Sequence, residues 1–388
     1  MSRFLFVVPP LVGHILPTVA LGQELATRGH QVGWVGHAET VSPLLPPGAT
    51  LIPLEADLVN PILAQFHRRS LSLRGAAAFQ FLWADFLIPL AAAMVPGVAA
   101  AVDEFDPDVL VVDQHALAGA LVARQRGLPW ATSATTSAEL TDPFATVPKL
   151  GAWTRQLLAD LQRGFAVSDP VDLRFSDHLV LAFTTSALVG SGYDFPGHYV
   201  FVGPSIGVRP GAPEFPWGWL DPDRQHVLVS LGTLNPGVGE RFFATAVQAV
   251  TSLAERLQVI LVAPPGLVDS LPDHVLVCES VPQLGLLPHL HAVVSHAGHN
   301  TVCESLAHGI PLVVAPIRDD QPAVAGQVVE AGAGIRVPFG RVSARQLHDA
   351  ITTVLDDPSY RAAARRVQTS FATAGGAVTA ADHLEKLR

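Results

Sequence analysis

The chain has 388 residues, of which 49% are hydrophobic and 15% charged, and its formal net charge is −10. This length accommodates two domains with full cores, and the composition is that of a globular protein. The acidic balance argues against a nucleic-acid partner. The two cysteines, Cys278 and Cys303, exclude a disulfide framework and a thiolate metal site.

The most apolar segments predict buried structure. The amino-terminal run F-L-F-V-V-P-P-L-V is short and favours a first strand over a signal peptide. The segment from Ala76 to Val102 is interrupted by Asp85, Pro89 and Pro96, so we predict buried or pocket-lining helices, with membrane contact as the less favoured alternative. Because two cysteines suit a reducing compartment, we expect a cytoplasmic protein.

In the first half of the chain, short apolar strands alternate with helices, which is typical of a parallel sheet with helices on both faces. Residues 60–105 and 137–175 carry many aromatic residues and few motifs, so they are predicted to be insertions that shape a pocket. We predict strands at Phe4–Pro9, His30–Val35 and 106–113, and helices at Pro17–Arg28 and Ala116–Arg126.

The alternation breaks at residues 207–223, where four prolines and three glycines predict a linker. It restarts with strands predicted at His226–Leu231, Leu257–Ala263, His274–Cys278, Ala292–Ser295 and Pro311–Ala315, and a helix from about Glu240.

The predicted fold class is therefore α/β, with two doubly wound, Rossmann-like domains that face each other across a ligand-binding cleft. The predicted boundaries are a first domain at 1–206, the linker at 207–223, a second domain at 224–370, and a carboxyl-terminal helix at 371–388 that packs back on the first domain. No G-x-G-x-x-G and no Walker A loop follow the opening strands, which argues against a nicotinamide, a flavin or a P-loop nucleotide as cofactor.

The run P-P-L-V-G-H-I-L-P, residues 9–17, joins the first strand to the first helix. Gly13 permits a tight turn and Pro17 suits a first helical turn, so His14 is predicted at the carboxyl edge of the sheet. Asp113 ends another strand at that edge. A carboxylate behind an imidazole orients it as a general base. The alternative is a loop histidine and an ordinary strand-ending aspartate.

The run S-H-A-G-H-N-T-V-C-E-S-L-A-H-G-I-P, residues 295–311, admits a metal or an anion. A zinc site would recruit His289, His291, His296 and His299. The strand between the two pairs extends by roughly 16 Å, so they cannot share one ion without a fold-back. No metal site is predicted.

An anion fits the same run better. The turn from the strand Ala292–Ser295 to a helix predicted at Thr301–Ala307 presents free N–H groups and the positive end of the helix dipole. Gly298 lets the backbone approach a phosphate, and His296 can donate to it. T-x-x-E at Thr301 and Glu304 reads either as a capping box or as a carboxylate for ribose hydroxyls, and the spacing leaves both open.

Two further strand ends carry polar residues. V-S-L-G-T, residues 229–233, suits a second phosphate cradle through Ser230 and Thr233. R-D-D-Q-P, residues 318–322, offers the carboxylate of Asp320 and the amide of Gln321 to a hydroxyl-rich ligand, or is only a polar loop leading to a helix.

Together these runs resemble the family 1 glycosyltransferases of the GT-B fold, in particular the bacterial natural-product enzymes that act on compounds such as macrolide antibiotics. The nucleotide-sugar signature of that family is matched from Val281 to Pro322, and the first half is matched by residues 9–17 and 106–113. The resemblance implies that His14 is the general base and Asp113 its partner. It assigns the donor diphosphate to His296, Gly298, Asn300, Thr301, Ser230 and Thr233, the ribose to Glu304, the sugar hydroxyls to Asp320 and Gln321, and the base to Val281 and Gln283.

One position departs from the family pattern: many relatives have Trp where Ser280 stands, so base stacking is weaker or comes from elsewhere. The resemblance implies metal-independent, inverting transfer of a hexose, glucose from UDP-glucose first and a dTDP-sugar second, to a hydrophobic small molecule, by a monomer or homodimer. Phe79, Phe81, Trp83 and Phe86 line the acceptor pocket or form core. The rival functions are a nucleotide-sugar epimerase and a non-catalytic nucleotide-sugar-binding partner.

Overall fold

The computed structural model describes residues 1–70, 72–141, 147–232, 239–264, 266–267 and 271–387. The chain folds into two compact units. After Pro210, which lies inside the predicted linker, it passes from the first unit into the long segment of the second unit. The first unit comprises Met1–Thr185, Tyr193–Pro210 and Ala374–Arg388, and the second comprises Ser186–Gly192 and Gly211–Thr373.

The first unit is built on a seven-stranded, wholly parallel sheet of order β3-β2-β1-β4-β5-β6-β7. Its strands are β1 Arg3–Val7, β2 Gln31–Gly36, β3 Thr50–Pro53, β4 Val109–Asp113, β5 Trp130–Ala134, β6 Leu179–Ala182 and β7 Tyr199–Phe201. Its helices are α1 Val12–Thr27, α2 Ala38–Val41, α3 Ala56–Ser70, α4 Gly75–Gln80, α5 Ile88–Phe105, α6 Leu117–Arg126 and α7 Pro148–Gly164.

The second unit repeats this topology with six parallel strands of order β10-β9-β8-β11-β12-β13. The strands are β8 Gln225–Ser230, β9 Leu257–Val262, β10 Val275–Cys278, β11 Ala292–Ser295, β12 Leu312–Val314 and β13 Gly334–Arg336. The helices are α8 Ser186–Val189, α9 Glu240–Val250, α10 Gln283–Leu286, α11 His299–Ala307, α12 Gln321–Glu330, α13 Ala344–Asp356 and α14 Pro358–Ala374, and α15 Gly376–Leu384 belongs to the first unit.

The central strands are apolar on both faces, as a sheet covered on both sides requires. In β1, Leu5 and Val7 belong to one buried cluster, whereas Phe4 and Phe6 belong to the cluster on the opposite face. This is the alternation that a strand period of two dictates. Two helical layers therefore enclose the sheet, and the predicted α/β class is confirmed.

Strand order reverses once in each sheet, between β1 and β4 in the first unit and between β8 and β11 in the second. Val7 lies beside Val112 in the first sheet, and Ser295 lies beside Ser230 in the second. Loops that leave neighbouring strands in opposite directions open a crevice at the carboxyl edge, where doubly wound sheets bind ligands.

Two helix starts differ from the predictions. Helix α1 begins at Val12, so Pro17 lies inside the helix rather than in its first turn. Burial of Ile15 and Val19 offsets the free-energy cost of the backbone hydrogen bond that proline removes. Helix α11 begins at His299 rather than Thr301, because Ala297 adopts a positive φ of 68° and turns the chain straight after β11.

The apolar segment that raised the question of a membrane forms one helical run, Gly75–Phe105, with a π-helical stretch at Phe81–Leu87. By length and composition this run meets the criteria for a membrane span, which core helices also meet, and half of its most apolar window is buried. Phe81, Trp83 and Phe86 are at most 4% exposed and pack in the core, so only Phe79 of the four aromatic residues is partly exposed.

Helix α15 packs against α1 within the first unit. Ala380, Ala381 and Leu384 join the buried cluster that contains Phe4 and Phe6. Arg28 donates to Asp382 at 2.7 Å and to Glu385 at 3.0 Å, and His30 Nε2 lies 2.7 Å from Glu385. The last helix of the chain is therefore part of the core of the first unit.

Helix α6 lies so close to the sheet that only glycine fits at residue 119. A Cβ there would lie 2.8 Å from a methyl carbon of Val112 and 2.9 Å from Cβ of Val7. We expect Gly119→Ala to lower the free energy of unfolding by about 1–3 kcal/mol through overpacking, measured by urea denaturation. Gly164→Ala, where no heavy atom lies within 4 Å, is the matched control and should not destabilise; equal losses for both variants would contradict this packing.

Candidate active site

The first unit brings the predicted pair together at the carboxyl edge of its sheet. His14 lies in the first turn of α1, directly after β1, and Asp113 is the last residue of the neighbouring strand β4. His14 Nδ1 lies 2.9 and 3.0 Å from the two carboxylate oxygens of Asp113. The His14 side chain is 17% exposed and that of Asp113 is fully buried, so the carboxylate lies behind the imidazole.

This contact sets the tautomer of His14. An ionised carboxylate only accepts hydrogen bonds, so Nδ1 of His14 carries the proton. With the proton on Nδ1, Nε2 carries an unshared electron pair, which is the form that a general base needs.

The structure adds two partners of Asp113 that the sequence reasoning missed. Thr135, directly after β5, donates its hydroxyl to Asp113 Oδ2 at 2.7 Å, and its oxygen lies 2.8 Å from His14 Nδ1. The backbone N–H of His115 donates to Asp113 Oδ1 at 2.8 Å. The carboxylate is thus held by three residues. The polar run after β5 could have pointed to Thr135 once the order β4-β5 was known.

A second ionic group lies beside this pair. His115 Nε2 lies 2.8 Å from Glu139 Oε1, and Arg174 donates to Glu139 Oε2 at 3.2 Å and to Asp172 at 2.7 Å. Burial raises the pKa of Glu139, but the charges and hydrogen bonds of His115 and Arg174 outweigh it and hold that pKa at about 2. Glu139 is therefore a carboxylate at any working pH.

Within the described residues, one group of metal-ligand side chains comes together, namely His14, Asp113 and His115, with ligand atoms within 4.8 Å of one another. The hydrogen bonds above join these groups directly. The histidines considered for zinc near residue 296 form no such group in the described part of the chain, and the ring of His299 instead contacts Cys303 Sγ at 3.4 Å.

In the second unit, His296 lies at the equivalent reversal point, after β11 and beside the end of β8. A Cβ at Gly232 would lie 2.5 Å from Cε1 of His296, and one at Gly298 would lie 2.5 Å from its Nε2. Two glycines therefore enclose the ring. Ser230 ends β8 and accepts from the N–H of Gly232 at 3.4 Å, whereas Thr233 lies outside the described residues.

The imidazole of His296 is neutral. Burial lowers its pKa to about 4, against the opposing effects of the Asp320 carboxylate and a hydrogen bond to the Ser230 backbone. His296 can therefore donate one N–H to a ligand but brings no positive charge of its own.

The capping-box interpretation of Thr301 and Glu304 is wrong. The N-cap of α11 is Gly298, which has no side chain, and both residues lie within the helix. Glu304 is 4% exposed and its Oε2 accepts from Gln283 Nε2 at 2.6 Å. The structure thus brings the residue assigned to the ribose against a residue assigned to the base.

The other residues that the resemblance assigns to the donor lie at the same carboxyl edge of the sheet. Asn300 and Thr301 are half-buried in the first turn of α11, and Val281 lies before α10, where its carbonyl accepts from the N–H of Gln283 at 2.8 Å. Asp320 is the N-cap residue of α12. The amide oxygen of Gln321 accepts from the backbone of Ile317 at 2.9 Å and of Arg318 at 3.1 Å, which leaves its Nε2 for a ligand.

The neutral state of His296 leads to a prediction about how the free energy of unfolding depends on pH. Between pH 6.5 and 4 the unfolded chain binds a proton at residue 296 that the folded chain does not, so the free energy of unfolding falls as the pH falls. Over this window we expect wild type to lose about 3 kcal/mol more than His296→Gln, measured by urea denaturation. His67→Gln, at an exposed residue, is the control and should keep the wild-type slope of stability against pH. The wild-type slope in His296→Gln would contradict a neutral, desolvated ring at residue 296.

Comparison with known proteins identifies the family. Residues 254–387 match the model of the Erythromycin biosynthesis protein CIII-like, C-terminal domain. Over its whole length, the chain is similar to 4'-demethylrebeccamycin synthase of Lentzea aerocolonigenes, with 30% identity over an alignment of 423 positions that covers 100% of this chain and 99% of the relative. It is 29% identical to demethyllactenocin mycarosyltransferase of Streptomyces fradiae, covering 100% and 87%.

A solved structure gives the same result for the fold. The spinosyn rhamnosyltransferase SpnG superposes with a TM-score of 0.78 at 25% identity, covering 100% of both chains. The resemblance drawn from the sequence is therefore confirmed, and with it the transferase class. The chain belongs to the family 1 glycosyltransferases of the GT-B fold, in the group that builds natural products.

Proposed function

We propose that this protein is an inverting hexosyltransferase that moves a sugar, glucose of UDP-glucose first, to a hydroxyl of a hydrophobic small molecule with His14 as general base. The observation that carries the proposal is the contact of His14 Nδ1 with both carboxylate oxygens of Asp113, at 2.9 and 3.0 Å. This contact leaves Nε2 as the proton acceptor.

In the proposed reaction the acceptor hydroxyl donates its proton to Nε2 of His14 as its oxygen attacks the anomeric carbon. The imidazolium that forms is stabilised by the Asp113 carboxylate. General-base help of this kind supplies ~10²–10⁴-fold, and orientation and stabilisation of the leaving group supply the rest.

The diphosphate leaves from the opposite face of the sugar. Because His296 is neutral, we assign it a single N–H donor to a phosphate oxygen, and we assign charge stabilisation to the start of α11. Ser230, Gly298, Asn300 and Thr301 complete this cradle. The proposal needs no metal ion and no cofactor.

The family resemblance supplies the roles that we propose for the rest of the donor, and the placements above are compatible with them. Glu304, with Gln283, takes the ribose hydroxyls, while Val281 and Gln283 frame the base. Asp320 accepts from the sugar hydroxyls and Nε2 of Gln321 donates to them, which favours a hexose with its hydroxyls intact. Relatives named for mycarosyl and rhamnosyl transfer keep deoxysugars on dTDP as the second donor class.

The acceptor is proposed to be apolar, such as a polyketide, macrolide, terpenoid or flavonoid, as in antibiotic biosynthesis. Phe79 is partly buried and packs against the core of the first unit, whereas its three neighbours are fully buried, so we assign Phe79 rather than these neighbours to the acceptor pocket. We place the reaction in the cytoplasm and expect a monomer or homodimer.

The function is tested by a mass-spectrometric screen of UDP-glucose, dTDP-glucose and dTDP-rhamnose against an acceptor panel. The panel holds a macrolide aglycone, a terpenoid alcohol, a flavonoid and 4-nitrophenol. We expect a mass gain of one hexose with UDP-glucose. A reaction without acceptor, analysed for an epimerised nucleotide sugar, tests the epimerase alternative, and donor binding with no transfer to any acceptor would favour the binding partner.

For the base, we expect His14→Ala to lower kcat with an aliphatic alcohol acceptor at least ~100-fold and to leave UDP binding unchanged. The alcohol cannot lose its proton without help, whereas the diphosphate contacts lie in the second unit. Kinetics and UDP titration calorimetry measure the two effects, with the exposed His67→Ala as control. Turnover of the alcohol at a near wild-type rate would overturn the base assignment.

A further inference from the structure

A second histidine–carboxylate pair lies against the first. His115 follows Asp113 by two residues, and its Nε2 lies 2.8 Å from Oε1 of Glu139 in the short 3₁₀ helix Ser137–Glu139. The exposures are reversed relative to the first pair, in which the imidazole is partly exposed and the carboxylate is buried. Here the imidazole of His115 is buried, at 7% exposure, and Glu139 is half-buried. Nothing in the proposed reaction uses it.

The two imidazoles are stacked. The ring centroids of His14 and His115 are 4.7 Å apart, with an angle of 29° between the planes. The backbone N–H of His115 also donates to the carboxylate that orients His14. His115 therefore touches the proposed base through its ring and the partner of that base through its backbone.

The ring of His115 is itself fixed on its other sides. The indole of Trp83 meets it edge-on, with centroids 6.4 Å apart, and the guanidinium of Arg174 lies 5.7 Å from the centre of the same indole. Arg174 is paired with Asp172 and with Glu139. These buried contacts hold the ring of His115 rigidly, and at 7% exposure the residue is poorly placed to touch an acceptor.

The rigid ring of His115 restrains a movement of the His14 ring that the Asp113 contact leaves free. Hydrogen bonds at Nδ1 fix one atom of the His14 ring but allow the ring to tilt about that atom. A stacked ring restrains the plane and thereby the direction in which Nε2 points. Misplacement of a reacting group by 1 Å can cost ~10²-fold in rate, so the plane of the base matters for turnover.

We propose that His115, held by Glu139, is a positioning residue that fixes the plane of the His14 ring and aims its Nε2 at the acceptor hydroxyl. This inference rests on the proposed role of His14 as the general base. It assigns no contact with the substrate to His115.

The charge of Glu139 is consistent with this role. Its pKa of about 2 keeps it ionised, so it always accepts a hydrogen bond from Nε2 of His115. The pair is therefore a permanent tether at neutral pH. Removing the Glu139 carboxylate frees the ring of His115, and removing His115 takes away the ring that stacks on His14.

The test uses two variants of the full chain and two acceptors. His115→Phe keeps a flat ring but loses the tether, and Glu139→Gln removes the charge that holds the ring. The acceptors are an aliphatic alcohol of the panel, either the macrolide aglycone or the terpenoid alcohol, and 4-nitrophenol at a pH where it is ionised and needs no base. UDP binding and thermal melting report on the fold of each variant.

We expect both variants to lower kcat with the alcohol about 10-fold or more and to change turnover of 4-nitrophenolate less than about 2-fold, with the KM for the donor unchanged. A purely structural role would lower turnover of both acceptors together. Equal losses on both acceptors, or no loss on the alcohol in either variant, would overturn the inference.

His30→Phe is the matched control. His30 is also a histidine paired with a carboxylate, 2.7 Å from Glu385, but it precedes β2 at the amino-terminal edge of the same sheet. We expect it to affect both acceptors equally if it affects them at all. A selective loss on the alcohol in this variant would remove the specificity on which the inference depends.

His14→Ala, measured with the same two acceptors, separates the inference from the proposed function. If His14→Ala still turns over the alcohol, the base assignment fails and the positioning role fails with it. If His14→Ala loses the alcohol reaction while His115→Phe and Glu139→Gln retain it, only the positioning role fails.

Discussion

The reversal of strand order at the carboxyl edge of each parallel sheet is the constraint on which the rest of this structure depends. In the first unit it sets the loop after β1 beside the end of β4, and in the second it sets the end of β8 beside the loop after β11. Side chains far apart in sequence, such as His14 and Asp113, meet because their strands are neighbours. The close packing of α6 on β1 and β4 holds that edge in place.

The two reversal points place a histidine in opposite electrostatic settings. His14 has a carboxylate and a hydroxyl at Nδ1 and keeps a partly exposed ring, which suits a group that gains a proton during a reaction. His296 is enclosed by two glycines, and burial lowers its pKa to about 4, so its ring stays neutral and offers one N–H. The same side chain thus meets two different environments, because desolvation acts on the ring of His296 whereas a carboxylate and a hydroxyl contact the ring of His14.

Behind His14 the polar groups form a continuous layer rather than a single pair. Thr135 and His115 hold Asp113, and Glu139 and Arg174 hold His115. These residues come from the ends of β4 and β5 and from the segments that follow them. The two carboxylates of this layer, those of Asp113 and Glu139, each accept hydrogen bonds from two or more residues, which compensates for the desolvation of these groups.

The sequence by itself determined the α/β class, the central strands, and most of the residues at the two edges, because apolar runs and strand-ending polar residues are local signals. It also determined the family, through the long run from Val281 to Pro322. It could not place Pro17 inside α1 or reject the capping box at Thr301 and Glu304, since both depend on where burial and a turn at Ala297 start a helix. Only the tertiary structure decided that Thr135, His115 and Glu139 surround the His14–Asp113 pair, because that depends on which strands are neighbours and on which side chains they bury together.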